Sequence, residues 1–231
     1  MRWLGSLLFP LRCRLCGAAP STDVALCRAC LDDLPWLEGS CCRCARPLPS
    51  GVDSPLCGAC LKRAPVFDAA TALLHYRAPA DYLIQRLKFS GELALAPLLA
   101  DLLAEKIAAR TPPLPDFLIP VPLHRVRLQE RGFNQAMELA RRLGRRLAVP
   151  VEHRLCHRTR HTRPQSLTPT GLRQRNLRGA FSVTGELPAT AHVAIIDDVM
   201  TSGHTADELA RALRRAGAVH VEVWIVARSG H

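Results

Sequence analysis

Apolar positions change their spacing near residue 65 of this 231-residue chain. Before it they come in short patches broken by Cys, Pro and Gly. After it they fall into strand-like and helix-like runs. "FDAATALLHY" (67–76) alternates loosely and ends in an aromatic, which predicts a strand. "PADYLIQRLKFSGE" (79–92) places Tyr82, Leu83, Leu87 and Phe89 at helical spacing and stops at Gly91. "LALAPLLADLLAEKIAAR" (93–110) predicts a second helix, with Pro97 in its first turn or at a kink. A "TPPLP" break leads into "DFLIPVPLH" (116–124), a short buried strand ending at prolines, and "NQAMELARRLGRRLA" (134–148) is an amphipathic helix. "VEHRLCHR" (151–158) can pair as a strand, "TRHTRPQSLTPTG" (159–171) reads as a mobile loop, and a helix "LRQRNLRG" precedes an extended "AFSV". "HVAIIDD" (192–198) is a strand, "TADELARALRRAG" (205–217) a helix closed by Gly217, and "VHVEVWIVA" (219–227) a strand.

Strands alternating with helices predict an α/β domain over 65–231, a parallel sheet with helices on both faces, preceded by a small module over 1–64. In such sheets ligands sit beyond the carboxyl ends of the strands. Three polar segments fall there, 122–133, 157–171 and 197–205, which points to one composite site.

The third segment carries the sharpest chemistry. In "IIDDVMTSGHT" (195–205) an apolar strand ends in Asp197 and Asp198 side by side. Carboxylates accept hydrogen bonds well, and vicinal ribose hydroxyls offer two donors at matching separation. The following loop enters a helix, so its N–H groups converge where a phosphate monoester can sit, aided by the hydroxyls of Thr201, Ser202 and Thr205. Gly203 permits the close turn. A plain N-capping turn, with Thr205 as the cap and Glu208 as its partner, also fits "TADE" (205–208), but leaves the acidic pair unexplained.

Nine of the ten cysteines lie before residue 61, in four C-x-x-C knuckles: "CRLC" (13–16), "CRAC" (27–30), "CCRC" (41–44) and "CGAC" (57–60). Two residues between thiolates let both sulfurs of one turn reach a tetrahedral ion. Two structural Zn2+ ions follow, held by Cys13, Cys16, Cys27 and Cys30 and by Cys41, Cys44, Cys57 and Cys60 if the knuckles pair sequentially; spacing alone also allows cross-braced pairing. Cys42 reads as a spectator and Cys156 as a core thiol. A module this small buries little apolar surface, so metal supplies much of its folding free energy.

Residues 121–180 hold fourteen Arg and three Glu with no Lys or Asp, so they carry the chain's whole excess of +11. Such a block implies an anionic partner, whether phosphate, pyrophosphate or nucleic acid, although "ARRLGRR" (140–146) also suits a solvated helix face. With 5% aromatic residues, base-stacking platforms are sparse. No apolar run reaches the roughly 20 residues that cross a bilayer. The opening "MRWLGSLLFPLRC" lacks a cleavage site and reads as a docking segment, so a cytoplasmic location is expected.

Taken together, the knuckles, "LKFSGE" (87–92), "PVPLHRVRLQERGFNQA" (120–136), "RPQSLT" with "RQRNLRGAF", and the acidic-pair motif resemble the ComF family, a phosphoribosyltransferase-like group with an N-terminal double zinc ribbon. The resemblance implies a type I phosphoribosyltransferase-like fold that binds phosphoribosyl pyrophosphate (PRPP) with Mg2+, or ribose 5-phosphate. Asp197 and Asp198 would take the hydroxyls, and Thr201, Ser202, Gly203, His204 and Thr205 the phosphate. Arg125, Arg127 and Arg131 lie where relatives carry a pyrophosphate loop. Arg158, Arg160, Arg163 and Gln165 resemble a hood that closes over substrate. Lys88 either faces the site or covers the sheet edge, and Asn134 and Gln135 either contact ligand or cap the following helix. Purine-salvage relatives have an Asp where this chain has Thr201, so a proton donor would come from elsewhere, with His157 and His161 as candidates. The family implies handling of incoming single-stranded DNA in natural transformation, alongside competence proteins. The alternative is an active phosphoribosyltransferase of nucleotide salvage without a DNA role.

Overall fold

The computed structural model describes residues 12–20, 25–51, 54–110, 113–160 and 179–230. Residues 172–178 of the helix expected over 172–179, most of the loop over 159–171, and the docking segment up to residue 11 lie outside the described residues, as do His161, Arg163 and Gln165.

Strands β1 (Ala69–His75), β2 (Phe117–Pro120), β5 (His192–Met200) and β6 (His220–Arg228) form one parallel sheet in the order β1-β6-β5-β2. The central strands read as near-continuous apolar runs because both their faces are covered. Val193 and Ile195 of β5 and Val221, Val223 and Ile225 of β6 face one way, into a core with Leu209, Ala210 and Leu213 of helix α7 (His204–Arg215). Ala194, Ile196, Trp224 and Val226 face the other way, against α3 (Ala80–Phe89), α4 (Leu95–Ala108) and α6 (Gln135–Leu147). Pro97 lies in the first turn of α4, where its missing N–H is harmless.

Helix α6 is fixed at both ends. Asn134 caps it, its Oδ1 accepting from Ala136 N at 3.0 Å while Nδ2 donates to Val121 O at 3.0 Å, so the helix starts from the end of β2. Asn134 is therefore occupied structurally. On the flank, the Arg142 guanidinium donates to both oxygens of Asp101 on α4, each at 2.7 Å.

Several segments differ from expectation. Of 151–158, only β3 (Cys156–Arg158) is a strand, and it pairs antiparallel with β4 (Phe181–Val183) in a separate ribbon. Pro150 and Glu152 instead run along the outer edge of β2: Leu118 N donates to Pro150 O and Glu152 N to Leu118 O, each at 2.9 Å. Residues expected as a polar loop contain helix α5 (Arg125–Arg131), opened by His124, whose Nδ1 accepts from Val126 N at 3.3 Å, and stopped by left-handed Gly132. At seven residues it is too short to carry an apolar period. Strand β5 continues past the acidic pair to Met200 because β6 stays in register beside it, Met200 opposite Arg228. Helix α7 begins at His204 with Gly203 as its cap, so the Thr205–Glu208 capping box does not form; Glu208 accepts from Gly179 N and Arg211 instead.

The N-terminal module, with its short helices α1 (Arg28–Asp32) and α2 (Gly58–Lys62), packs on the edge of β1. Trp36 pairs antiparallel with Leu74, Leu37 N donates to Leu73 O at 3.1 Å, and His75 N to Pro35 O at 2.8 Å. Leu26 and Leu34 share a core with Leu73, Leu83 and Leu99.

Gly144 marks the tightest approach in the sheet's helical layer. A Cβ there would stand 2.7 Å from both Val149 O and Val151 Cγ2, and the carbonyl belongs to backbone that cannot swing aside. Gly144→Ala is expected to cost about 1–3 kcal/mol, read as a lower urea midpoint with an unchanged slope.

Candidate functional site

The acidic pair sits near the carboxyl end of β5, and strand alternation aims the two side chains differently. Asp197 lines a hollow with Val121, Thr201, Gly203, Thr205 and Ile225. Asp198 is 2% exposed, and Lys88 of α3 brings its Nζ to 2.8 Å from Asp198 Oδ2. Lys88 thus faces the site. Asp198 N donates to Asp197 Oδ1 at 2.9 Å and Val199 N to Asp198 Oδ1 at 2.8 Å, which holds both carboxylates against the strand.

Burial, and after it the Asp198 charge, push Asp197 up to about 8. Burial works against the Lys88 charge too, but Asp198 outweighs it and moves the ammonium above its ordinary value. The pair therefore sets Asp198 against the Lys88 ammonium, beside a carboxyl on Asp197 that a cation or a set of hydroxyl donors would ionise.

The loop after β5 is set by its backbone. Gly203 adopts φ +82°, a left-handed conformation costly to any residue with a Cβ, and from it α7 starts. Arg228, 4% exposed at the end of β6, donates from Nη1 to Met200 O at 3.0 Å and also to the carbonyls of Thr201 and Ser229. Its Nε donates to Cys44 O at 2.9 Å, inside a cysteine knuckle. One guanidinium thus fixes the loop's first residue and the N-terminal module together. Sequence reasoning missed Arg228; the available signal was a charged residue closing a nine-residue strand otherwise buried through seven consecutive positions.

Arginines approach from two further elements. Burial disfavours the charges of Arg131 on α5 and Arg158 on β3, and the leading offset is Asp198 for Arg131 and Asp197 for Arg158. Arg131 is steered by Phe89, whose ring centre lies 5.5 Å from its guanidinium carbon, and by buried Gln135, whose Oε1 accepts from Nη1. Gln135 therefore acts by holding Arg131. Lys88, Arg127 and Arg131 line a second hollow beside the first. Arg125 stands exposed at the start of α5, Ser202 is exposed, and His204 opens α7. His157, next to Arg158 on β3, turns to the ribbon's other face, its Nε2 3.3 Å from Thr184 Oγ1.

Part of the basic run on α6 is neutralised internally. Arg142 is held by Asp101, which also lies 3.5 Å from Arg146, and Arg141 pairs with Glu138 at 2.8 Å.

The knuckles pair sequentially. The sulfurs of Cys13, Cys16, Cys27 and Cys30 lie within 4.8 Å of one another, as do those of Cys41, Cys44, Cys57 and Cys60. Across the knuckles, Cys16 Sγ to Cys27 Sγ is 3.6 Å and Cys44 Sγ to Cys57 Sγ is 3.7 Å. Four thiolates at Zn–S distances near 2.3 Å stand about 3.8 Å apart on a tetrahedron, so both quartets fit zinc. Burial raises the Cys13 and Cys57 thiols, but hydrogen bonds outweigh it, from backbone N–H groups at Cys13 and from the Cys60 N–H and neighbouring thiols at Cys57. They end at about 6 and about 7, favouring the thiolate. Cys42 is exposed and outside both quartets, and Cys156 is a core thiol that burial pushes up to about 12.

Metal analysis should give two Zn2+ per chain, unchanged in Cys42→Ser and Cys156→Ser; a loss in either variant would contradict the quartets. Asp197 supplies a pH test. Its carboxyl stays protonated in the fold after ionising at 3.8 in the unfolded chain, so its contribution is intact below that value and lost as pH rises through about 8. Ligand-free Asp197→Asn should accordingly unfold at higher urea than the native chain at pH 8, with the difference closing near pH 4. A less stable variant at pH 8 would refute the assignment.

Residues 4–61 match the double zinc ribbon domain family. The chain is 39% identical over 180 residues to competence protein F of Haemophilus influenzae, covering 75% of this chain and 78% of that protein. It is 36% identical over 222 residues to the DNA utilization protein YhgH of Escherichia coli (strain K12), covering 94% and 90%. Among solved structures it is similar to adenine phosphoribosyltransferase from Leishmania tarentolae, at 12% identity and a TM-score of 0.40, over 72% of this chain and 93% of that one. The chain belongs to the ComF family, with a double zinc ribbon followed by an α/β domain built on a parallel sheet.

Proposed function

We propose that the hollow at the end of β5 binds the ribose 5-phosphate part of PRPP, and that the protein uses this site in handling DNA-derived material. The observation that carries the reading is the Asp197–Thr205 segment: a carboxyl held in the hollow by a buried strand, followed by a glycine-hinged loop at a helix start. Asp197 would accept from the ribose hydroxyls, with Asp198 behind it as the Lys88-bound anion. The backbone of Thr201–Thr205 would take the 5-phosphate, with the hydroxyls of Thr201, Ser202 and Thr205 adding donors. Pyrophosphate, arriving with its Mg2+, would fill the second hollow, where Lys88, Arg127 and Arg131 offer planar and point cations. Arg163, on the segment expected to close over the site, and Arg125 would add to this charge.

Competence and DNA utilization in the relatives' names support a nucleic-acid role. Exposed arginines of α6 supply a matching surface: Arg145 stands on its outer face beside Arg141, which stays exposed while paired with Glu138. Thr201 stands where purine-salvage enzymes carry an Asp beside the base, which favours binding over base transfer.

Calorimetry with PRPP and Mg2+ tests the pocket. One site per chain is expected, weakened at least tenfold in Asp197→Asn/Asp198→Asn, since each charge-assisted bond contributes about 1.5–3 kcal/mol. Equal affinity in the double variant would remove the ribose assignment. Single-stranded DNA binding should fall with salt on a log–log plot by about 0.7 per phosphate contacted. Arg141→Gln/Arg145→Gln should flatten that slope and leave PRPP affinity intact, and Arg127→Gln/Arg131→Gln should do the reverse. Pyrophosphate release on adding a free nucleobase, with no DNA binding at low salt, would establish the salvage reading instead.

A further inference from the structure

The opposite end of the sheet carries a cluster that none of the foregoing uses. His192 opens β5, His220 opens β6, and the two are direct partners in the register. Glu222 lies two residues along β6 on the same face, 2% exposed. Glu222 Oε1 is 3.1 Å from His192 Nε2 and 3.7 Å from His220 Nε2, and the three ligand atoms lie within 4.8 Å of one another. The rings stand edge to face, 83° apart, which aims their nitrogens inward rather than stacking them.

Glu222 and His220 are each held from behind by further partners. Glu222 Oε2 is occupied by Arg110 Nη1 and Trp224 Nε1, each at 2.8 Å, which turns Oε1 toward the imidazoles. His220 Nδ1 lies 3.5 Å from Asp68 Oδ2, and Asp68 is itself anchored by Arg214 at 2.6 Å and Val221 N at 2.8 Å. A carboxylate behind the non-ligating nitrogen fixes the tautomer and leaves Nε2 as the lone-pair atom. Atoms bound about 2.0–2.1 Å from a tetrahedral ion stand roughly 3.3 Å apart, between the two separations found here.

We propose that His192, His220 and Glu222 form a third metal site, separate from the cysteine quartets, that takes a divalent borderline ion such as Zn2+ with water completing the tetrahedron. Two imidazoles and one carboxylate suit zinc over calcium or magnesium, which prefer all-oxygen shells. The ion would clasp the starts of the two central strands at the end remote from the proposed PRPP pocket.

Full-length protein with both cysteine quartets loaded is titrated with ZnCl2 by calorimetry, and in parallel with CoCl2 by absorption. One further equivalent of zinc is expected, with cobalt giving weak visible bands and no thiolate charge-transfer band. His220→Gln should lose at least tenfold in affinity for this ion, keep two tightly bound zincs, and unfold at the native temperature when no extra metal is added. His220 is 44% exposed on its side chain, so the substitution spares the core. His192→Gln is the second variant and should behave alike. Absence of a third equivalent, equal affinity in both variants, or a cobalt spectrum confined to thiolate ligation would overturn the site.

Discussion

The buried guanidinium of Arg228 is the contact on which the arrangement turns. Its charge is taken out of water, a cost that only near-complete hydrogen bonding offsets. The chain supplies carbonyls from three places: Met200 and Thr201 where β5 passes into its loop, Ser229 after β6, and Cys44 of the second cysteine quartet. Removing the guanidinium would strand these acceptors, at about 1–3 kcal/mol for each left unsatisfied. The loop's position and the zinc ribbon's position are thus one geometric fact. The first knuckle is gripped likewise, Arg86 donating to Arg14 O at 2.9 Å while Glu92 pairs with Arg14 at 3.1 Å.

Around the acidic pair, charge is arranged before any ligand arrives. Asp198 and Lys88 neutralise each other below the surface, so the outer carboxyl of Asp197 feels burial more than attraction and holds its proton. Arg127, Arg131 and Arg158 approach from α5 and β3, and Gln135 and Phe89 hold the Arg131 guanidinium. A dianionic group brought into this space meets cations already desolvated and oriented, so little reorganisation is required on binding.

Much of this was legible in the residues. Nearly unbroken apolar runs marked β5 and β6, the heptad-like stripe marked α6, and four evenly spaced C-x-x-C pairs marked the metal quartets, because each signal is local and repeats. The pairing of the quartets was not legible, since sequential and cross-braced pairing use the same spacing and only the sulfur positions in the fold separate them. Helix α5 escaped because five of its seven residues are polar and its ends depend on His124 and Gly132. The roles of Lys88, Gln135 and Arg228 rest on partners 110, 4 and 184 residues away, Asp198, Arg131 and Cys44, and no window along the chain contains the distant pairs.

The pairing of Trp36 and Leu37 along β1 has a consequence for how the molecule meets its own copies. A parallel sheet with open flanks offers unpaired N–H and C=O groups to any passing strand, a template for association into β-rich aggregates. Here one flank is shielded by Pro150–Glu152 and the other by the ribbon segment, whose shape depends on its metal. Were the quartets emptied and the module unfolded, the β1 edge would be bared, and self-association would compete with refolding.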